Sequence, residues 1–137
     1  MSLIKNLLPG YAFLIFITFS ALSSYGQTQT ELNLKASKQY KKADMELNSS
    51  YQKILKEYAS QPLFIKKFKA AQRLWLQLRD AELAARFPEA GSYGSVEPMC
   101  KVMYLEELTR ERIKFLKTWL NGVAEGDACN GSVKLKK

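Results

Sequence analysis

Apolar residues recur along most of the chain at steps of three and four, which is the period of one face of a helix. The first such segment runs from about Leu32 to Ala59, and its recurring residues are Ala36, Tyr40, Ala43, Leu47, Tyr51, Ile54 and Tyr58. No stretch alternates apolar and polar residues as a half-buried strand does. The pattern therefore predicts an all-α protein.

A second helix is predicted from about Pro62 to Arg86. Ser60 and Gln61 precede Pro62, and a residue before proline disfavours the helical region, so the first helix should stop there. The apolar face of the second helix comprises Phe64, Phe68, Ala71, Trp75 and Leu78, with Leu83 as a weaker member. Pro88 and the turn-rich sequence PEAGSYGS end it.

A third helix is predicted to begin after Ser95, a suitable N-cap, and to continue to about Leu120. Asn121 and Gly122 form a stop signal. Its apolar stripe contains Leu105, Leu108, Arg112, Phe115 and Trp119. Short connections make sequential helices antiparallel, so the sequence predicts an elongated antiparallel bundle of three main helices followed by an irregular C-terminal tail.

The N-terminus has the layout of a secretory signal peptide, predicted over residues 1–26. Lys5 supplies the positive charge, residues 11–22 are apolar, and Ser24-Tyr25-Gly26 is a small-x-small cleavage site. A membrane anchor is the alternative, but the apolar run is shorter than the roughly 20 residues that a spanning helix needs. The predicted domains are thus a leader, a helical domain over residues 27–129 and a basic flexible tail over residues 130–137, in a periplasmic or secreted protein with no membrane span after cleavage.

The 137 residues include no histidine, two cysteines and a formal net charge of +8. The lack of histidine excludes metal sites built on imidazole and nucleophiles activated by histidine. The chain also has no glycine-rich phosphate loop and no nucleophile elbow. We therefore predict a protein that is not an enzyme and that has no catalytic residues, metal site or cofactor.

Five polar residues lie beside the predicted apolar faces, and we predict that they form a structural polar network. They are Asp44, Asn48, Gln72, Arg79 and Asp80. Antiparallel packing would bring Asp44 or Asn48 near Arg79, whose planar guanidinium suits a carboxylate. A binding surface and a catalytic cleft that also contains Glu82 are the alternatives, but residues two apart on a helix, as Asp80 and Glu82 are, do not face each other.

The two cysteines are predicted to form a disulfide, because unpaired thiols are unusual in an exported domain. Cys100 lies near the start of the third helix and Cys129 lies beyond its end. About 30 Å of helix separates Cys100 from Leu120, and the segment from Leu120 to Cys129 spans at most about 30 Å. The bond therefore requires this segment to run back along the bundle, or the helix to end early.

Three segments in this order resemble the lysozyme inhibitor LprI-like N-terminal domain family: KKADMELNSSYQKIL, AAQRLWLQLRDAEL and CKVMYLEELTRERIKFL. The residues that carry the resemblance are Asp44, Leu47, Asn48, Tyr51, Gln72, Trp75, Arg79, Asp80, Cys100, Leu108, Thr109, Arg112 and Leu116. Members often carry a further cysteine where this chain has Leu83 to Ala85. The resemblance implies a small exported bacterial helical domain that binds a partner and does not catalyse a reaction, and the family name implies inhibition of lysozyme.

Two kinds of partner follow from these observations. A lysozyme or another envelope protein could be bound by the connecting loop, of which we single out Glu89, Ser92 and Tyr93 for their exposed position and composition. The alternative is an anionic lipid or cell-wall polymer; nucleic acid is not expected in an exported protein. The lysines that favour it are Lys35, Lys38, Lys41 and Lys42, those of the FIKKFK run, and those of the terminal KLKK.

Overall fold

The computed structural model describes the backbone of residues 8–136 and the side chains of residues 28–136. It contains three helices: α1 (Leu8–Glu57), α2 (Pro62–Arg86) and α3 (Glu97–Asn121). Over the described residues there is no strand, and the β-structure is a single bridge between Val123 and Leu135. The predicted all-α class is confirmed.

Helix α1 begins at Leu8, well before the predicted start at Leu32. The apolar residues of the predicted leader are compatible with a helix, and Gly26 does not interrupt it. At 1.5 Å per residue, the 50 residues of α1 span about 75 Å. Residues 1–7 of the predicted signal peptide lie outside the described residues, and cleavage after Gly26 stays a prediction.

The order of the contacts shows in which direction each helix runs. Tyr51 stacks on Phe68 with ring centroids 5.5 Å apart, and Tyr58, directly after α1, lies 4.7 Å from Phe64, so the end of α1 meets the start of α2. Contacts between α2 and α3 are opposed in the same way: Phe68 with Trp119, Gln72 with Arg112, and Arg86 with Tyr104. Sequential helices are therefore antiparallel, as predicted, and α1 and α3 run in the same direction.

The core lies where the three helices meet. Its fully or nearly fully buried members are Ala43, Leu47, Ile54, Tyr58, Phe68, Ile113 and Leu116. The apolar face predicted for α1 is confirmed, because every one of its residues is buried or half-buried. The closest backbone packing is between α1 and α3, whereas α2 contacts the other helices mainly through its side chains.

The faces predicted for α2 and α3 are only partly right. Apart from Glu97 in its first turn, the buried residues of α3 are Thr109, Ile113 and Leu116, whereas Phe115 of the predicted stripe is 54% exposed. The residues Thr109, Ile113 and Leu116 face α1, which is the main packing partner of α3. The predicted stripe faces α2 instead. On α2, Ala71 and Leu78 of the predicted face are exposed, Leu78 at 56%, because α2 is covered along only one narrow side.

The predicted disulfide is wrong, since Cys100 and Cys129 are both free. Cys100 lies in the first turn of α3, and about 30 Å of helix separates it from Asn121 at the other end. Two bonded cysteines need Cα atoms within about 7 Å of each other. The segment that contains Cys129 does not run back along the bundle, because it turns and returns to Val123 at the end of α3.

The C-terminal tail is tied back by hydrogen bonds instead of a disulfide. The Tyr58 hydroxyl donates to the carbonyl of Trp119 over 2.9 Å and accepts from the backbone N–H of Lys134 over 3.1 Å. The Lys134 ammonium pairs with Glu57. Val123 donates to the carbonyl of Lys134 and accepts from Lys136, at 2.9 and 2.8 Å. Residues 134–136, part of the predicted flexible tail, thus lie against the end of the bundle.

Gly122 allows this close approach of the tail. Its φ is +72°, a conformation that side chains rarely adopt, and a Cβ atom there would lie 2.7 Å from the carbonyl oxygen of Lys134. Gly126 has a φ of +90° but open space where its Cβ would be. A side chain at position 126 would therefore introduce backbone strain alone, whereas a side chain at position 122 would introduce both strain and a collision with the tail.

We expect Gly122→Ala to lower the free energy of unfolding by about 2–3 kcal/mol, since it adds a collision to the strain. Gly126→Ala, the matched control, should cost only about 1 kcal/mol from strain. Urea denaturation of the two variants and the wild type measures both values. Equal decreases in the free energy of unfolding for the two variants would show that the tail does not press on Gly122 in solution.

Candidate functional site

Two guanidinium groups lie close to the ring of Trp75. The Cζ atoms of Arg79 and Arg112 are 5.5 and 5.6 Å from the centroid of its ring, and Arg112 is also 5.1 Å from the ring of Phe115. The Nε of Arg112 donates to the Oε1 of Gln72 over 3.0 Å, and Gln72 is buried. Burial lowers the pKa of Arg112, yet an arginine in a protein stays protonated. The cluster therefore holds two positive charges on one indole, joining α2 to α3.

A second group of charged residues influences Tyr40 on α1. Arg79 donates from Nε and Nη2 to the Oδ1 of Asp80, at 3.0 and 2.8 Å. Burial raises the pKa of the Tyr40 hydroxyl, the positive charge of Arg79 opposes that rise, and the carboxylates of Asp44 and Asp80 add to it. Asp44, Arg79 and Asp80 therefore act on the same phenol, and Arg79 links this group to the Trp75 cluster.

The five residues of the predicted polar network lie in three pairs. Asn48 donates to Asp44 over 3.3 Å on the exposed side of α1, and Arg79 binds Asp80. Gln72 instead binds Arg112, a partner that was not included in the network. The sequence carried one signal for it, because Arg112 is the charged residue in an otherwise apolar stripe. The role of the network in fixing the arrangement of the helices stays a prediction.

The loop between α2 and α3 is held by a single buried carboxylate, that of Glu97. Its Oε2 accepts from the backbone N–H of Tyr93 over 3.3 Å, and its Oε1 pairs with Lys101. The hydrogen bond from Lys101 lowers the pKa of Glu97, and bonds from the backbone of Gly91 and Tyr93 add to the shift. Glu97 was not predicted as a site residue; the signal was an acidic residue in the first turn of a helix, directly after a loop.

The predicted partner-binding residues lie on the outside of this loop. Glu89, Ser92 and Tyr93 are all exposed, with Tyr93 at 40%. Ser92 is tied to Glu89 by a backbone bond of 3.3 Å and a side-chain bond of 3.4 Å. The ring of Tyr93 meets the edge of Phe87 at 5.4 Å. The loop thus presents polar and aromatic groups on a backbone that is fixed at several points.

A cation and aromatic rings flank the loop. The guanidinium of Arg86, at the end of α2, lies 4.2 Å from the centroid of the Tyr104 ring. Arg86, Phe87, Cys100 and Tyr104 line a shallow hollow of about 440 Å³ beside the loop. The hollow and the loop together form what we call the loop end of the molecule.

The lysines singled out on α1 form a separate surface. Lys35, Lys38, Lys41 and Lys42 are all exposed and lie around the exposed side chains of Leu34 and Met45, which are each 56% exposed. These six residues contribute most of the lining of a shallow hollow of about 500 Å³. No ion pair involves any of the four lysines within the described part of the chain. We call this face the lysine surface.

The described residues offer neither a cluster of metal-ligating side chains nor a helix that could span a membrane. Among the residues that the structure describes, no group of three or more histidine, cysteine, aspartate or glutamate residues could hold a metal ion. Over the same residues, no helix combines the length and the apolar character needed to cross a membrane.

Comparisons with known proteins identify the family. The chain is 36% identical, over 101 residues, to an uncharacterised protein, R02472, of Rhizobium meliloti (strain 1021), and the match covers 66% of this chain and 72% of that protein. No solved structure matches the chain. The family described as lysozyme inhibitor LprI matches residues 20–116. That match covers more than half of the chain, which therefore belongs to the LprI lysozyme inhibitor family.

Proposed function

We propose that this protein is an exported binding protein without catalytic activity that inhibits a lysozyme, and that its loop end makes the contact. Membership of the LprI family supports the activity, and the leader-like N-terminus supports export. The observation that carries the proposal is the loop itself, which exposes Tyr93 while Glu97 fixes its backbone.

The chemistry of the loop end fits the cleft of a lysozyme. That cleft binds sugar rings and contains two carboxyl groups. An exposed tyrosine offers a flat face and a hydroxyl of the kind that packs in such clefts, and Arg86 lies nearby with its guanidinium exposed to an incoming carboxylate. Because the loop is fixed before it binds, association would cost little ordering entropy.

The charge of the whole chain sets the expected dependence on salt. A net charge of +8 repels a basic lysozyme over long distances, so contact through the loop must rest on shape and local bonds. Salt screens the repulsion, and inhibition should persist or improve as salt is raised. Binding to an anionic polymer would weaken under the same conditions.

We expect saturable inhibition of lysozyme by the purified protein, and a roughly 30-fold higher inhibition constant for Tyr93→Ala. Loss of an aromatic anchor costs about 2 kcal/mol or more at an interface. Phe115→Ala, which removes an exposed aromatic side chain on α3, should inhibit as the wild type does. Cell-wall lysis assays with a basic animal lysozyme and a phage-type lysozyme, at low and moderate salt, measure these constants.

No inhibition of either enzyme by the wild-type protein would contradict the proposed activity. Equal inhibition by wild type and Tyr93→Ala would leave the activity in place but contradict the role of the loop. The two results therefore separate the function from the surface that performs it.

We expect Glu97→Gln to loosen the loop in a manner that depends on pH. Because the native pKa of Glu97 is lowered, its charge stabilises the fold above the usual glutamate pKa of about 4.3 and loses this effect as the pH falls through the native pKa. The wild type should therefore melt at a higher temperature than the variant near neutral pH, and the difference should vanish in acid. Thermal melts across this range test it, and a difference that is constant with pH would contradict the assignment.

The lysine surface supports a second candidate function, which is binding to an anionic lipid surface of the envelope. Four exposed lysines without ion pairs surround two exposed apolar side chains, a combination typical of helices that lie on a membrane. Binding to an anionic lipid surface would depend on salt in the opposite way to lysozyme inhibition, because the attraction would be strong at low salt and weak at high salt.

For this second candidate we expect Lys38→Glu/Lys42→Glu to weaken binding to anionic vesicles by more than tenfold. Each lysine near such a surface contributes about 1 kcal/mol, and each reversal also adds repulsion. Arg73→Glu/Lys114→Glu makes the same change in net charge at exposed positions on α2 and α3 and is the control. Co-sedimentation with vesicles that contain about one-third phosphatidylglycerol measures binding, and an equal loss in both variants would show that only net charge matters.

A further inference from the structure

Helix α2 leaves a long uncharged face open to solvent. Leu74 is 64% exposed and Leu78 is 56% exposed, and Ala71, Ala81 and Ala85 beside them are exposed as well. These positions follow one another at alternating steps of three and four. That spacing is the seam of a coiled coil, and it differs from the narrow stripe that packs on α1 and α3. We call these five residues, together with Lys67 one step before them, the α2 seam.

The α2 seam is symmetric along its own length. Its central residues read Ala71, Leu74, Leu78, Ala81, which is the same order in either direction. If a second helix with this seam lies antiparallel to it, Leu74 meets Leu78 of the other copy and Ala71 meets Ala81. The leucines then fill the centre, and the alanines on either side let the helices approach closely. A partner with this property is already available, namely another copy of the same chain.

The one charge in the α2 seam has a complement in the same arrangement. Lys67 lies at one end of the seam, opposite Ala85 of the antiparallel copy, and Glu82 lies one turn away from Ala85. Glu82 is half-buried and takes part in no ion pair within the described residues. The long side chain of Lys67 reaches along the helix, so each copy can pair its Lys67 with Glu82 of the other. Because the arrangement has a two-fold axis, this ion pair would form twice in the dimer.

From this face we propose that the protein forms a symmetric dimer in which the α2 seams of two copies pack antiparallel. The seam buries leucines that the single chain leaves in water, and burial of apolar surface is the main driving force for such association. Two chains that each carry a net charge of +8 repel each other, so the dimer should become tighter as salt is raised. This response is opposite to that expected for binding of the lysine surface to anionic lipids.

The dimer is independent of the proposed inhibition, but it determines how the loop ends are presented. Each loop follows the C-terminal end of α2, and antiparallel packing puts the two C-terminal ends at opposite ends of the dimer. In this register Arg86 of one copy lies opposite Lys66 of the other, so the two C-terminal ends of α2 are 20 residues, or roughly 30 Å, apart along the helix axis. Both loop ends therefore stay accessible in the dimer.

The test is sedimentation equilibrium of the purified protein at low and high salt. We expect a monomer–dimer equilibrium that shifts toward dimer at high salt, and a dissociation constant at least tenfold higher for Leu78→Lys. The control is Leu34→Lys, because Leu34 has the same exposed fraction of 56% but lies on α1. Circular dichroism confirms that both variants fold. A wild-type protein that stays monomeric at about 0.5 mM, or an equal effect of the two substitutions, would overturn the proposal.

A charge exchange tests the register. Lys67→Glu and Glu82→Lys should each weaken the dimer, and the double variant should restore the dissociation constant to near that of the wild type. If the single variants weaken the dimer and the double variant weakens it further, the two copies do not pack in the antiparallel register. Both results are read by the same sedimentation measurement.

Discussion

The ring and hydroxyl of Tyr58 join all parts of the fold. The ring packs on Phe64 across the turn between α1 and α2, and the hydroxyl bonds the end of α3 at Trp119 and the tail at Lys134. A buried tyrosine hydroxyl needs partners, and here one oxygen both donates and accepts. Because a single group reaches two helices and the tail, the end of the bundle is closed without a covalent link.

That closure explains why the cysteines remain apart. A disulfide would have tied the tail to the start of α3, at the far end of the bundle, whereas Tyr58 and Gly122 hold it at the near end. Sequence alone favoured a disulfide, because two cysteines and a leader are a common pair in exported proteins. The competing hydrogen bonds could not be seen in the sequence, since Tyr58 and Lys134 are 76 positions apart.

Helix periodicity predicted the elements better than it predicted which side of each element is covered. The apolar face predicted for α1 was right because both other helices pack on α1, so a broad stripe of its surface is buried. For α2, Phe64, Phe68 and Trp75 of the predicted face are covered, but Ala71 and Leu78 are exposed, since α2 touches its neighbours along a narrow line. A helix with apolar residues over much of its circumference gives no internal sign of which of them the same chain will cover.

Among the site residues, local pairs were more predictable than contacts between helices. Arg79 and Asp80 are neighbours in sequence, and Asp44 and Asn48 are one turn apart, so their pairing needs little tertiary information. The bond between Gln72 and Arg112 depends on the register of α2 against α3, which the sequence does not specify. The exposed position of the loop was predictable from its composition, whereas its rigidity depends on Glu97 in the next helix.

The lysine surface, the α2 seam and the loop end differ in the physical interaction by which each would bind a partner. The lysine surface attracts anions at long range, and salt weakens that attraction. The α2 seam has almost no charge and depends on apolar burial, so salt affects it only by screening the repulsion between whole molecules. The loop end combines the exposed Tyr93 with the guanidinium of Arg86, which lies against the Tyr104 ring, and depends on fit at short range. Because the three surfaces share no residue, binding at one does not remove the residues of another, and weakening by salt is expected of the lysine surface alone.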